Sequence, residues 1–232
     1  MAALVVIALY SGETPAEGAA AKARTPFSPV GAWRQTTAGV RRFLIPAGVF
    51  ALANSSDMLL LALCYQRFQA AGMGEAGALA RLPLLWALLH VVKSAGSAWG
   101  GALSDRVGRL ATIGAAWGVY ALVYALAAVF GAGGPAWMSW AIFAGYGVFA
   151  ALGEGPEKAL IGDLQPDASR RGAAYGLVSF VAGLGALPAS ALAGALWAWV
   201  GAPWAFGVGA ALALVAAGTL PVVRGFTRPS AA

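Results

Sequence analysis

Charge is what this sequence has least of: Asp, Glu, Lys and Arg make up 10% of its 232 residues, against about 25% in ordinary soluble domains. With 60% hydrophobic residues and a mean hydropathy of +0.74, neither a soluble globule nor a disordered chain is compatible with the composition. Cysteine is nearly absent, and Cys64 alone excludes an internal disulfide. The one histidine, His90, stands outside any HExxH or CxxC spacing, so no ordinary zinc or iron site is expected. The chain also lacks a G-x-S-x-G elbow and a Walker-type Gly-x-x-x-x-Gly-Lys loop. An enzyme and direct driving by ATP are therefore not expected, and no cofactor is called for.

What is present is a series of apolar runs of about 20 residues, the length that spans a bilayer as helix. They fall near 43–65, 82–103, 110–130, 136–156, 173–196 and 203–223, separated by charged or Gly/Pro-rich turns. Each run is continuously apolar, whereas a membrane strand alternates over about ten residues. The expected fold class is all-α, a polytopic bundle of six transmembrane helices. Residues 1–10 are too short to cross and read as an apolar helix stub, 11–40 as a linker rich in Ala, Gly and Pro, 41–223 as the bundle and 224–232 as a tail.

Basic residues set the expected orientation. With the linker in the cytoplasm, Lys22, Arg24, Arg34, Arg41, Arg42, Arg106, Arg109, Arg170, Arg171, Arg224 and Arg228 lie on that side, and only Arg67 and Arg81 lie opposite. The positive-inside rule then puts both termini in the cytoplasm of a cell whose inner membrane holds the protein. The net charge of +6 needs no nucleic-acid partner, because membrane lipid and topology account for it.

Between the second and third runs lies Gly101-Ala-Leu-Ser-Asp105-Arg106-Val-Gly108-Arg109, a short turn with one acid and two arginines at the membrane surface. An Asp there can accept from N–H groups at a helix N-terminus and arginines can pair with carboxylates, so the turn has the chemistry of a clip. The segment resembles the loop signature of the major facilitator superfamily, G-x-x-x-D-R-x-G-R. A second stretch, Glu154-Gly-Pro-Glu157-Lys158 through Asp163 and Pro166 to Arg170-Arg171-Gly172, is similar to a later loop of bacterial members. The resemblance implies one half of a twelve-helix transporter, its carboxy-terminal six helices. It also implies a partner, an amino-terminal half or a second half-bundle, because such transporters hold their solute between halves.

Ionisable groups inside the apolar runs are functional candidates by default. At about 1.5 Å per residue, Asp57, with Asn54 one turn before it, lies at a depth comparable to His90 and Lys93. His90 and Lys93 share a helix face three residues apart. The first two runs are expected side by side, pairing Asp57 with His90 or Lys93 as a site for solute or proton coupling, or as a salt bridge that fixes helix register. Glu154 and Glu157 are expected at the cytoplasmic rim, where Gly153, Gly155 and Pro156 bend or end the helix. There they would form a gate with Gly101, Asp105, Arg106, Gly108 and Arg109. The expected function is secondary active transport of a small organic solute by alternating access with proton coupling, efflux being a common theme among bacterial relatives. The alternative is a non-transporting scaffold or partner half-subunit.

Overall fold

The computed structural model describes residues 27–226. The stub at 1–10, most of the linker with Lys22 and Arg24, and Arg228 in the tail lie outside the described residues. Among the described residues the structure is helical throughout: α1 (Pro29–Gln35), α2 (Ala38–Ala53), α3 (Asp57–Ala70), α4 (Glu75–Val107), α5 (Arg109–Phe130), α6 (Met138–Leu164), α7 (Arg171–Trp199) and α8 (Ala202–Thr219). Short 3-10 turns cover Ala168–Arg170 and Leu220–Phe226. Helix α1 occupies part of the stretch expected as linker. It starts because Ser28 accepts from the Gly31 N–H and Pro29 sits where a helix needs no donor.

Among the described residues five helical segments are long and apolar enough to cross a membrane: Ala38–Ala70, Glu75–Val107, Arg109–Phe130, Ala168–Trp199 and Ala202–Phe226. The helix expected as the fourth crossing is α6, 27 residues long. It falls short on composition because Glu154, Glu157, Lys158 and Asp163 sit in its second half. Of the two effects expected of the glycines and Pro156, bending or ending the helix, the second does not occur: the helix continues through Pro156 to Leu164.

Side-to-side packing does not follow chain order. Helix α4 lies along α6, α6 along α5, α5 along α8, and α8 and α7 both along α2. The first and second crossings, expected side by side, meet mainly through α3 and α4, and the principal neighbour of α4 is α6. Small residues dictate this choice. A Cβ on Gly100 would sit 2.2 Å from the Ala151 carbonyl oxygen and one on Gly147 would sit 2.8 Å from that of Leu89. The two backbones thus approach at a distance only glycine permits. Gly185 plays the same part against Ala51 at the end of α2, where a Cβ would come within 2.6 Å. Gly101, Gly183 and Gly194 have nothing within 4 Å of that position, so no close approach within the described chain depends on them.

Burial is uneven. In the most apolar stretch of each crossing, 44% is buried within the chain for Ala38–Ala70 and for Arg109–Phe130, but only 17% for α4 and 22% for Ala168–Trp199. An aromatic core of Phe50, Trp117, Tyr120, Tyr124 and Phe206 fills the space between α2, α5 and α8.

Candidate functional site

The first crossing is a broken helix. Its two pieces are separated by Asn54, Ser55 and Ser56 at the depth where the polar cluster was expected. A break inside lipid is tolerated only where its backbone groups find partners, and here they do. The Asn54 N–H donates to the Phe50 carbonyl at 2.9 Å, and the Ser56 N–H donates to Ser190 Oγ on α7 at 3.2 Å. Tyr120 OH donates to the Ala53 carbonyl at 2.8 Å, and Ser55 Oγ meets Tyr124 OH at 3.2 Å. Ser56 then caps α3 through the Met58 N–H, and Asp57 sits in the first turn, where the helix dipole favours a negative charge.

Three tyrosines therefore hold the break. Tyr120 and Tyr124 are one turn apart on α5, and Tyr146 comes from α6, its OH donating to Asp57 Oδ1 at 2.6 Å and to Asn54 Oδ1 at 3.3 Å. Sequence reasoning missed all three. The available signal was hydroxyl-bearing rings at mid-depth in otherwise apolar runs, two of them four residues apart and so on one face.

A cavity of about 340 Å³ opens at the break. Asn54, Asp57, His90 and Lys93 all line it, and so do Glu154 and Glu157. The expected ion pair of Asp57 with His90 or Lys93 is not what the geometry gives. Asp57 is held by Tyr146, and Lys93 Nζ lies 2.6 Å from Glu154 Oε1. Glu154 and Glu157 thus belong to the cavity rather than to the arginine turn. The reason is the close α4–α6 seam, which lays Lys93 alongside the charged half of α6.

At the arginine-rich end, Gly108 separates α4 from α5 with φ +93, a conformation that excludes ordinary side chains. Arg109 Nη1 donates to Asp105 Oδ1 and to Ser104 Oγ, the latter at 2.9 Å, and Nε donates to Asp163 Oδ2 at 3.3 Å. One arginine thereby ties the end of α4, the start of α5 and the end of α6. Its acceptor on α6 is Asp163, not Glu154 or Glu157, because α6 runs about two further turns beyond Glu157. Arg106 is exposed and makes no ion pair among the described residues. The adjoining turn is closed by Ser169, whose hydroxyl and N–H both donate to Asp167 and hold its carboxyl below the usual range. A hollow of about 1010 Å³ lies here between Ser104, Arg109, Asp163, Arg171 and Arg224. Though larger, it is bordered by the paired charges of Arg109, Asp105 and Asp163, whereas the cavity at the break holds ionisable groups at membrane depth, where each needs a reason to be.

Broken first crossing, polar cavity and arginine-locked turn occur together in a chain whose residues 84–231 match the Major Facilitator Superfamily. The chain belongs to that family. It is 32% identical over 158 residues to an uncharacterized MFS-type transporter of Methanocaldococcus jannaschii, a match covering 68% of this chain and 38% of the relative. The described fold is accordingly a helical membrane bundle of the facilitator type, and the protein is integral to a membrane. The chain spans well under half of the relative it matches.

Proposed function

We propose that the chain is the carboxy-terminal six-helix half of a secondary transporter that moves a small organic solute across the inner membrane by alternating access, coupled to protons. The observation that carries this reading is the cavity at the break. Six polar or ionisable side chains converge on a space of about 340 Å³ inside a bundle that is otherwise apolar, and discontinuous helices at midplane are where facilitators and related carriers hold their ligands. The exposed faces of α4 and α7 support a second six-helix half closing the cavity from the other side. The excess of Lys and Arg at the Arg109 end supports placing that end in the cytoplasm.

In this mechanism Asp57 is the proton-coupling group, positioned by Tyr146 and by the start of α3. Arg109 with Asp105 and Asp163 closes the cytoplasmic end while the cavity opens outward. The test is flux in proteoliposomes holding the chain together with whatever half co-purifies with it from native membranes. Solute movement driven by a pH gradient is expected, and Asp57→Asn is expected to abolish the pH dependence between about pH 5 and 8 while expression is retained. Unchanged pH dependence in that variant contradicts the coupling role. Absence of any saturable flux favours a scaffold instead.

A further inference from the structure

The cavity at the break has a charge balance and a wall chemistry that together select its ligand. We infer that it binds an organic cation bearing an aromatic or similarly flat apolar group, with Asp57 and Glu157 meeting the charge. This rests on reading the cavity as the solute site and names the substrate class of that site.

Three carboxylates and one lysine line the cavity. Lys93 and Glu154, 2.6 Å apart, cancel each other. Asp57 is satisfied but not neutralised: Tyr146 OH is an uncharged donor, it engages Oδ1, and among the described residues Oδ2 receives no hydrogen bond. Glu157 is partly buried at the cavity wall and makes neither a hydrogen bond nor an ion pair among the described residues. The charged groups acting on it are Glu154, one turn away on the same face, and its exposed sequence neighbour Lys158. His90 alters the sum by one charge at most, and with it protonated the cavity is still acidic. A carboxylate away from bulk water needs a cation to offset its desolvation. Among the described residues no cation forms an ion pair with Asp57 or Glu157, and in this proposal the ligand takes that place.

The walls agree with the charge. Phe50 stacks on Trp117 with centroids 4.6 Å apart and 5° between planes, and Phe149 tilts against Phe50 at 5.7 Å. Trp86 also lines the cavity, its ring 5.5 Å from that of His90. Aromatic faces attract cations and supply the apolar contact area that fixes a small organic ligand. An anion would meet a net negative cavity whose one lysine is already paired.

The full chain in nanodiscs of zwitterionic phosphatidylcholine, titrated with benzyltrimethylammonium and with benzylsulfonate, separates charge from ring. Saturable binding of the ammonium and none of the sulfonate is expected. Asp57→Asn and Glu157→Gln should each weaken ammonium binding about tenfold. Lys93→Gln, which releases Glu154, should strengthen it, a gain that misfolding does not produce. Sulfonate binding that depends on Lys93 overturns the cation assignment and leaves the carrier reading intact. Ammonium binding indifferent to the Asp57 and Glu157 changes, weakened by Lys93→Gln, or absent for a chain of native helicity also overturns it, while the carrier reading is then decided independently by the pH-driven flux.

Discussion

The cavity at the break and the turn at Arg109 are both clusters of acids and bases on the same bundle, yet they are wired in opposite ways. At the turn Nη1 and Nε of Arg109 end on acceptors of the chain itself, Ser104, Asp105 and Asp163, so its charge is met within the cluster. At the break the hydrogen bonds stop short: among the described residues Asp57 keeps an oxygen without a donor, and Glu157 keeps both. Where a chain leaves ionisable groups incompletely paired at membrane depth, the missing partner comes from outside the chain. Fully paired groups instead set a conformation. The difference teaches that the residues nearest the family signature are paired with one another, while the residues scattered along the sequence line the cavity proposed for the solute.

The two clusters share a support, the α4–α6 seam, and breaking it should have the largest effect. Gly100→Ala puts a methyl 2.2 Å from the Ala151 carbonyl and should destabilise the bundle by about 1–3 kcal/mol, read as a lowered thermal midpoint in detergent. Gly101→Ala, with nothing within 4 Å, should leave it unchanged. A smaller effect is expected from the turn alone. Arg109→Ala removes partly exposed pairs worth about 1 kcal/mol, so it should raise labelling of a cysteine at Gly155, in a Cys64→Ala background, several-fold without unfolding. Asp163→Asn should mimic it, the double variant should add little, and additive effects would show that the pair is not coupled. Arg106→Ala, lacking a partner, should change nothing beyond about 0.5 kcal/mol. Smallest among the changes that act is Tyr120→Phe, which frees the Ala53 carbonyl and should cost about 1 kcal/mol. It should show as faster amide exchange confined to the residues around the break, with the Arg109 turn unaffected.

The crossings and the turn were legible in the sequence because both are local. Long apolar runs declare themselves by length, and the Gly101–Arg109 signature is contiguous, its positive-φ glycine and its arginine in consecutive positions. Asn54, Asp57, His90 and Lys93 were legible as a set because charge inside an apolar run is conspicuous. Their partners were not. Lys93 meets Glu154 across 61 positions and Asp57 meets Tyr146 across 89. Those pairings depend on which helices adjoin, and glycine seams decided that against chain order. The break itself was hidden for another reason. Asn54, Ser55 and Ser56 are ordinary polar residues within an apolar run, and only the tyrosines of α5 and α6, with Ser190 of α7, make an interrupted backbone tolerable there. Arg67 was expected in a polar loop and is instead fully buried at the end of α3, with Nε and Nη2 donating to the Gly131 carbonyl at 3.0 and 2.6 Å. Its sequence neighbours Gln66 and Phe68 give no warning that its partner is a carbonyl 64 positions away.

The central claim is that the break lines a solute cavity reached in turn from each side of the membrane. The most direct measurement replaces Asn54 with cysteine in a Cys64→Ala background, within the assembled transporter, and labels sealed vesicles of both orientations with a membrane-impermeant maleimide. The account predicts labelling from either face, with Arg109→Ala shifting it toward the cytoplasmic face. Labelling confined to one face under all conditions, and unmoved by Arg109→Ala, would contradict it.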